Sequence, residues 1–154
     1  MSDLTASMRI YQDKLDVPTA HRGPLDITDR VRRVVRSSGV HIGLCTVFVQ
    51  HTSAGIVIQE NADPSVLRDL EGWLSRTAPE SAAWEHDAEG PDDMPAHVKS
   101  VLTRTSENIP VRGGELALGT WQALYLWEHR ARPHRRSLIV HVAGLGPSER
   151  GELG

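Results

Sequence analysis

Five side chains that could bind a metal ion or move protons lie within twelve residues. They are His86, Glu89, Asp92, Asp93 and His97. Imidazole and carboxylate groups together bind zinc and other first-row divalent ions, whereas carboxylates alone suit magnesium. Carboxylates packed beside one turn repel each other unless a cation offsets their charge. The spacing predicts a divalent-metal site, and it leaves open an exposed polar loop in which Asp92 and Asp93 cap the next helix.

A second polar group follows an apolar run that ends at Gln50. His51 at the end of a buried strand could be a ligand or a general base, and the hydroxyls of Thr52 and Ser53 could orient phosphate or water. A buried histidine bonded to the backbone is the alternative interpretation. Asn61 adds a polar group between the next strand and a helix, and capping does not explain it.

A third group lies in the C-terminal third of the chain. Glu128 and Arg130 are two residues apart at a strand end, so alternation predicts that they share one face. They could form an ordinary ion pair, or the pair could hold Arg130 for phosphate binding. Upstream, Gly119 would let the backbone beside Thr120 and Gln122 approach a ligand closely.

The composition excludes several classes of protein. Hydrophobic residues make up 39% and charged residues 24% of 154 residues, with a net charge of −3, which is typical of a globular protein that binds neither nucleic acid nor membrane. Cys45 is the only cysteine, so neither an internal disulfide nor a thiolate zinc cluster can form. There is no nucleotide-binding glycine motif, signal peptide or membrane span, which predicts a cytoplasmic protein without a nucleotide cofactor.

The periodicity predicts helices and strands in one domain, residues 1–154, with a tail at about 146–154 that is frayed. A surface strand is predicted over Met8 to Val17. Helices are predicted from Ile27 to Gly39, from Asp63-Pro64 and from about Asp93. Strands are predicted over Ile42 to Gln50, Glu115 to Leu118, Thr120 to Arg130 and Arg136 to Ala143. The last two of these strands are expected to form a hairpin. The expected apolar stripes are Val66, Leu67, Leu70, Trp73 and Leu74 in the second helix, and Met94, Val98, Val101 and Leu102 in the third. His141 is expected in the core or at an interface.

The polar groups together resemble the YjbQ family over roughly Ile10 to Leu145. The matching segments are H-T-S-A from His51, E-N-A-D-P from Glu60, the run from His86 to His97, L-G-T-W-Q from Leu118 and E-H-R from Glu128. The run from His86 includes E-G-P-D-D-M-P-A-H from Glu89. The resemblance implies an α+β fold with a β-sandwich-like core flanked by about three helices, assembled as a homotrimer. It also implies a pocket that gathers His51, His86, His97 and the acids, and secondary thiamine-phosphate synthase activity.

This activity joins a pyrimidine diphosphate to a thiazole phosphate, and it predicts a metal-assisted transferase acting on small phosphorylated metabolites. The expected catalytic residues are His51, Glu89, Asp93, His97 and Arg130. The expected ligands of zinc or magnesium are His86, His97, Asp92 and Glu128. The expected substrate-binding residues are Ser53, Asn61, Thr120 and Gln122. Two alternatives stay open. One is a hydrolase in which zinc lowers the pKa of water to about 7, and the other is a metabolite- or metal-binding protein without turnover.

Overall fold

The computed structural model describes residues 7–147, so most of the tail expected to fray lies outside the described residues. The described residues form one α+β domain with three helices, as predicted, and eight strands. In chain order the elements are β1 (Met8–Thr19), β2 (Gly23–Asp26), α1 (Thr28–Ser38), β3 (Ile42–Val49), β4 (Ala54–Glu60), α2 (Pro64–Thr77), α3 (Asp93–Leu102), β5 (Ser106–Arg112), β6 (Glu115–Leu116), β7 (Gln122–Glu128) and β8 (His134–Leu145).

Two antiparallel sheets enclose the hydrophobic core. Sheet A has the strand order β1-β8-β3-β5-β6, and sheet B has the order β2-β7-β4. Alternate residues of the central strands, such as Val47, Leu126 and Val140, point between the sheets and are fully buried. Burial of each such side chain contributes about 1.5–3 kcal/mol. The predicted sandwich-like core is confirmed.

The first two helices begin where the sequence predicts. Asp26 Oδ1 accepts the backbone N–H of Thr28 at 2.9 Å, and Gly39 ends α1 with a φ of 65°, a left-handed conformation that glycine adopts without strain. Asp63 caps α2 by accepting the N–H of Ser65 at 2.9 Å. The apolar stripe of α2 is predicted wrongly in part. Leu74 is its one buried residue, because α2 lies against β4 on the outside of sheet B rather than in the sandwich.

Helix α3 buries a different face from the one that its apolar residues predict. Asp93, Ala96 and Lys99 are buried at i, i+3 and i+6, whereas Val101 is 84% exposed. The apolar stripe is therefore wrong for this helix. A buried carboxylate is tolerated when it is paired, and Asp93 is paired with an arginine and two histidines.

The predicted hairpin of the last two strands is also wrong. β7 is the central strand of sheet B, whereas β8 lies in sheet A between β1 and β3. Residues 129–133 carry the chain from one sheet to the other. Strand β5, which pairs with β3, was not predicted. None of the three helices within residues 7–147 is long and apolar enough to cross a membrane.

Candidate metal centre

Helix α3 places the two central groups of the site. Asp93 opens the helix, and His97 follows four residues later on the same face. The Asp93 side chain is 3% exposed, and its Oδ2 lies 3.2 Å from Nε2 of His97. The long loop before the helix brings in His86, whose Nε2 is 2.7 Å from the same oxygen. Two imidazoles and one carboxylate, predicted from the sequence to share a site, therefore do meet.

The three side chains form a compact group that could hold a metal ion. One ligand atom from each of His86, Asp93 and His97 can be chosen so that all lie within 4.8 Å of one another. Ligand atoms about 2.0–2.1 Å from a tetrahedral zinc ion are about 3.3 Å apart, so small side-chain adjustments suffice to hold an ion. We call these three residues the His–Asp–His triad. Its buried end is Asp93, and its open end is His86, whose side chain is half-exposed.

A hydrogen bond to the backbone orients His97. Its Nδ1 is 2.9 Å from the carbonyl oxygen of Thr52, so Nδ1 carries the proton and donates it. With Nδ1 engaged in this way, Nε2 is the ring nitrogen that faces Asp93. Ligand histidines in metalloproteins are held in this way, with the second ring nitrogen donating to a carbonyl or carboxylate. The segment after His51 thus contributes to the site through its backbone rather than through the Thr52 hydroxyl.

Arg130 fixes the carboxylates of the site. Its Nη1 donates to Asp93 Oδ1 at 2.7 Å, and its Nε donates to Asp92 Oδ2 at 3.1 Å. Its Nη2 donates to the carbonyl oxygen of Glu89 at 3.0 Å. Each guanidinium nitrogen therefore has a partner within the chain, and this geometry does not support the phosphate-binding role predicted for Arg130. Asp92, an expected ligand, is turned toward Arg130 and away from the triad, and Glu89 takes part through its backbone.

The pKa directions agree with this arrangement. Burial alone would raise the pKa of Asp93, but the hydrogen bond from His86 and the charges of His97 and Arg130 hold it below its ordinary value. For Asp92, burial is likewise outweighed by hydrogen bonds from the Ala131 N–H and Arg130, and its pKa is lowered. Both carboxylates are therefore ionised at neutral pH, which is the form that binds cations.

The structure assigns Glu128 to the interior rather than to the metal site, and the predicted ion pair with Arg130 is wrong. Glu128 is fully buried and is bonded through both oxygens to the buried Arg136 and through Oε1 to the Thr19 hydroxyl at 2.6 Å. The strand ends at Glu128, so alternation no longer places Arg130 beside it. Burial raises the pKa of Glu128, but the bonds from Arg136 and Thr19 outweigh it and keep the pKa low.

His51 has a structural partner in the backbone. Its Nε2 accepts the N–H of Ser137 at 2.8 Å, which uses the lone pair that a general base would need. Burial, with the nearby charge of Arg136, lowers the pKa of His51. The role of proton acceptor is therefore not supported by this geometry. Ser53 lies next to Thr52, and its carbonyl oxygen accepts from Arg136 Nη2 at 3.1 Å.

Three expected substrate-binding residues lie at the opposite end of sheet B. Asn61 Nδ2 donates to the carbonyl oxygen of Thr120, and Gln122 Oε1 accepts the N–H of Gly119. The register pairs Ala54 with Glu128 at the triad end and Glu60 with Gln122 at the far end. Six residue steps of about 3.3 Å separate the ends by about 20 Å. Within one chain, Asn61, Thr120 and Gln122 are therefore remote from the triad.

Several buried polar residues near the site were missed by the sequence analysis. His129 is fully buried, its Nε2 is 3.1 Å from the Thr103 hydroxyl, and burial, assisted by the charge of Lys99, lowers its pKa to about 3. Arg136 lies on the inward register of β8, among Leu138 and Val140. In the sequence, Arg136 takes its place in the alternation of Leu138 and Val140, and this pattern could have indicated that Arg136 is buried.

Of the three triad residues, His86 lines a shallow depression. This depression has a volume of about 530 Å³, and its lining includes Trp84, Pro91 and Met94. A smaller apolar cavity of about 210 Å³ lies between α2 and β4, with Trp73 and Trp127 in its wall. That cavity has a more apolar lining but includes no residue of the triad. The depression beside His86 is therefore the cavity that adjoins the triad.

Comparisons with known proteins agree on one family. A sequence model described as UPF0047 protein YjbQ-like matches residues 13–145. A UPF0047 protein of Synechocystis sp. is 50% identical over 145 residues, covering 94% of this chain and 99% of that protein. The UPF0047 protein YjbQ of Escherichia coli O157:H7 is 40% identical over 135 residues, covering 87% and 98%.

Solved structures give the same result. The crystal structure of a YbjQ-like protein of unknown function from Sulfolobus solfataricus P2 superposes with a TM-score of 0.83 at 31% identity, covering 90% of this chain and 99% of that one. An uncharacterized conserved protein of the YjbQ/UPF0047 family from Clostridium acetobutylicum gives a TM-score of 0.76 at 37% identity, covering 85% and 98%.

Proposed function

The chain belongs to the YjbQ-like UPF0047 family, and we propose that it is a divalent-metal-dependent enzyme acting on a small phosphorylated metabolite. The observation that supports this proposal is the His–Asp–His triad. A carboxylate that is 3% exposed lies within hydrogen-bonding distance of two imidazoles that are 49% and 32% exposed. A protein that used these residues only for stability would have little reason to leave both histidines open to solvent.

The donor set fits zinc better than magnesium. Zinc at catalytic sites is commonly held by three protein ligands that include histidine, with one position left for water or substrate. Magnesium prefers oxygen ligands in an octahedral arrangement. The three residues of the triad, with His86 half-exposed, match the zinc pattern. Asp92 is engaged by Arg130 and the Ala131 N–H, so it does not supply the oxygen-rich set that magnesium would need.

A divalent ion bound by the triad would supply Lewis acidity toward a diphosphate leaving group or toward water. The chain's own residues prepare the site for this role. Arg130 holds Asp93 through Oδ1 and leaves Oδ2 directed at the two histidines. The Thr52 carbonyl fixes the tautomer of His97. Because the guanidinium of Arg130 is neutralised by two carboxylates, an ion held by His86, Asp93 and His97 would supply the positive charge for a phosphate group in place of Arg130.

The proposed reaction is the thiamine-phosphate synthase type of transfer, in which the ring nitrogen of a thiazole phosphate forms a bond to the methylene carbon of a pyrimidine methyl diphosphate while the C–O bond to diphosphate breaks and diphosphate leaves. Purified protein, stripped of metal and then loaded with zinc or magnesium, should form thiamine phosphate from the two substrates and release diphosphate. Asp93→Asn should abolish turnover while the protein remains folded. Metal-independent product formation, or full activity of Asp93→Asn, would refute the proposal.

A zinc-dependent hydrolase is the second candidate, and the pair of imidazole ligands favours it because zinc so held activates water. The two candidates differ in the acceptor, which is water for the hydrolase and the thiazole phosphate for the transferase. A hydrolase should release phosphate or amine from a single substrate without the thiazole phosphate, whereas the transferase should need both substrates. Metal binding without turnover of either kind would instead support a non-catalytic metabolite- or metal-binding protein.

We also propose that the protein is a cytoplasmic homotrimer, as the family resemblance implies. Neither property follows from the geometry of the metal centre. Sedimentation equilibrium of the untagged protein measures the number of chains directly, and a mass of one chain at all concentrations would contradict the trimer.

A further inference from the structure

The loop between α2 and α3 carries an aromatic side chain to which the proposed function gives no role. Trp84 is partly buried and lies two residues before His86. Its indole Nε1 donates a hydrogen bond to the carbonyl oxygen of Pro79 at 3.2 Å. A buried tryptophan usually pairs its N–H in this way, and the bond holds one edge of the ring against the start of the loop. The orientation of the ring is therefore fixed.

Two surface depressions adjoin this ring. Trp84, His86 and Met94 line both the depression of about 530 Å³ beside His86 and a second depression of about 560 Å³. Both volumes lie within the range of about 300–1,000 Å³ that is usual for small-molecule sites. A fixed indole ring next to a flexible thioether offers a surface on which a flat molecule can stack. We call Trp84 and Met94 the ring site.

His86 connects the ring site to the metal centre. Its Nε2 is 2.7 Å from Asp93 Oδ2, and its ring meets the ring of His97 edge to face, with 5.6 Å between the two centroids. Two residues along the chain span at most about 7 Å, so Trp84 is separated from His86 by no more than the length of a small metabolite. One ligand can therefore contact an ion at the triad with one end and Trp84 with the other.

The charges around Trp84 determine which end of a ligand binds there. Glu85 and Asp87 are exposed carboxylates that line the depressions, and a third carboxylate, that of Glu80, is 3.0 Å from Arg22. Within residues 7–147, neither lining includes an arginine or a lysine. Carboxylates repel a phosphate group but not a neutral or positively charged ring, and the face of an indole attracts positive charge. The ring site therefore suits the ring of a ligand and not its phosphate.

We propose that Trp84 determines substrate specificity by stacking on a planar, nitrogen-containing aromatic ring, while the phosphate group of the same molecule binds an ion at the His–Asp–His triad. The proposal names the substrate class of the metal centre and rests on the function proposed above. It holds for the transferase and for the hydrolase alike. It excludes sugar phosphates and other aliphatic phosphates as preferred substrates, because these have no aromatic face to stack on Trp84.

Calorimetry of the zinc-loaded full chain tests the two ends of the ligand separately. The probes are a pyrimidine methyl diphosphate, the pyrimidine methanol that lacks the diphosphate, and ethyl diphosphate, which lacks the ring. The wild type should bind the pyrimidine methyl diphosphate more tightly than either of the others. Removal of zinc should weaken binding of the two diphosphates and leave binding of the pyrimidine methanol unchanged.

Trp84→Leu keeps an apolar side chain but removes the aromatic face. Stacking of a base on an aromatic side chain changes affinity by roughly 5- to 150-fold. Trp84→Leu should weaken binding of the pyrimidine methyl diphosphate by a factor in this range and leave binding of ethyl diphosphate unchanged, whereas Trp84→Phe should retain most of the affinity. Trp121→Leu is the matched control, because Trp121 is 65% exposed and lies at the far end of sheet B. This control should bind all three probes like the wild type.

Zinc content and circular dichroism of each variant separate the ring site from the metal centre. A folded Trp84→Leu that retains zinc and binds the pyrimidine methyl diphosphate like the wild type would overturn the role of Trp84. If Trp84→Leu loses zinc, binding of the pyrimidine methanol decides, because that probe needs no ion, and an unchanged affinity would again overturn the role. Failure of the wild type to bind the pyrimidine methanol would overturn the ring site itself.

The substrate class and the enzyme function fail in different ways. A wild type that binds ethyl diphosphate as tightly as the pyrimidine methyl diphosphate would overturn the substrate class, whether or not the protein turns over a substrate. Ring binding that depends on Trp84 in a protein without any turnover would support the ring site and refute the enzyme function.

Discussion

Replacing Glu128 with glutamine should strongly destabilise the fold without affecting metal binding. Glu128 is fully buried, and it accepts hydrogen bonds from Arg136, from the Thr19 hydroxyl and from the Arg130 N–H at 3.2 Å. Glu128→Gln keeps the shape of the side chain but leaves the charge of Arg136, which is 2% exposed, without its counter-ion. Removing one partner of a buried ion pair costs about 3–5 kcal/mol. For a chain of this size, this corresponds to a fall in Tm of roughly 6–20 °C.

Urea unfolding followed by circular dichroism measures the free energy of unfolding of Glu128→Gln against the wild type. Glu60→Gln is the matched control, because Glu60 lies at the other end of the β4–β7 pair and is only partly buried. The control should change the free energy of unfolding by at most about 0.5 kcal/mol. A loss below about 1 kcal/mol for Glu128→Gln would refute the buried ion-pair reasoning. Loss of bound metal from the folded variant would instead restore Glu128 as a ligand.

Three further predictions concern Arg130, the carboxylates and the cysteine. Arg130→Gln should weaken zinc binding about 10- to 100-fold in calorimetry, because it removes the group that orients Asp93, and unchanged affinity would count against that role. The pKa values of Asp93 and Glu128 are lowered in the folded state, so the two ionised carboxylates stabilise the fold at neutral pH. This stabilisation should be lost as pH falls below about 5. A free energy of unfolding that does not decrease on acidification would contradict this. Burial raises the pKa of Cys45 to about 12, so a thiol reagent at neutral pH should modify it only as fast as the protein unfolds, and rapid stoichiometric labelling would show otherwise.

Local signals in the sequence were sufficient for the helix ends and for part of the His–Asp–His triad: His86 and His97 were expected ligands, Asp93 was expected as a catalytic residue, and the other two expected ligands, Asp92 and Glu128, do not join the triad. Asp63-Pro64 and Gly39 mark helix ends by backbone chemistry that does not depend on the rest of the fold. The spacing of Asp93 and His97 on one helix, with His86 in the loop before it, was enough to predict that they share a site.

Long-range pairing was not predictable in the same way. Nothing in the residues around Arg130 shows that the chain leaves sheet B there and enters sheet A, so the hairpin and the ion pair of Glu128 with Arg130 were both predicted wrongly. The partner of Glu128 is Arg136 on β8, and the partners of Arg130 are Asp92 and Asp93, 38 and 37 residues away. Such pairs form because the sheets bring distant segments together, and a periodicity argument contains no information about them.

The proposed metal centre is tested most directly by elemental analysis of the untagged protein after dialysis against zinc and removal of unbound metal. We expect about one zinc ion per chain in the wild type, as for a site with three protein ligands, and little retained zinc in Asp93→Asn, His86→Ala and His97→Ala. The exposed Asp87→Asn is the control and should retain zinc like the wild type. A wild-type protein that retains no zinc, or triad variants that retain as much as the wild type, would contradict the assignment of His86, Asp93 and His97 as metal ligands.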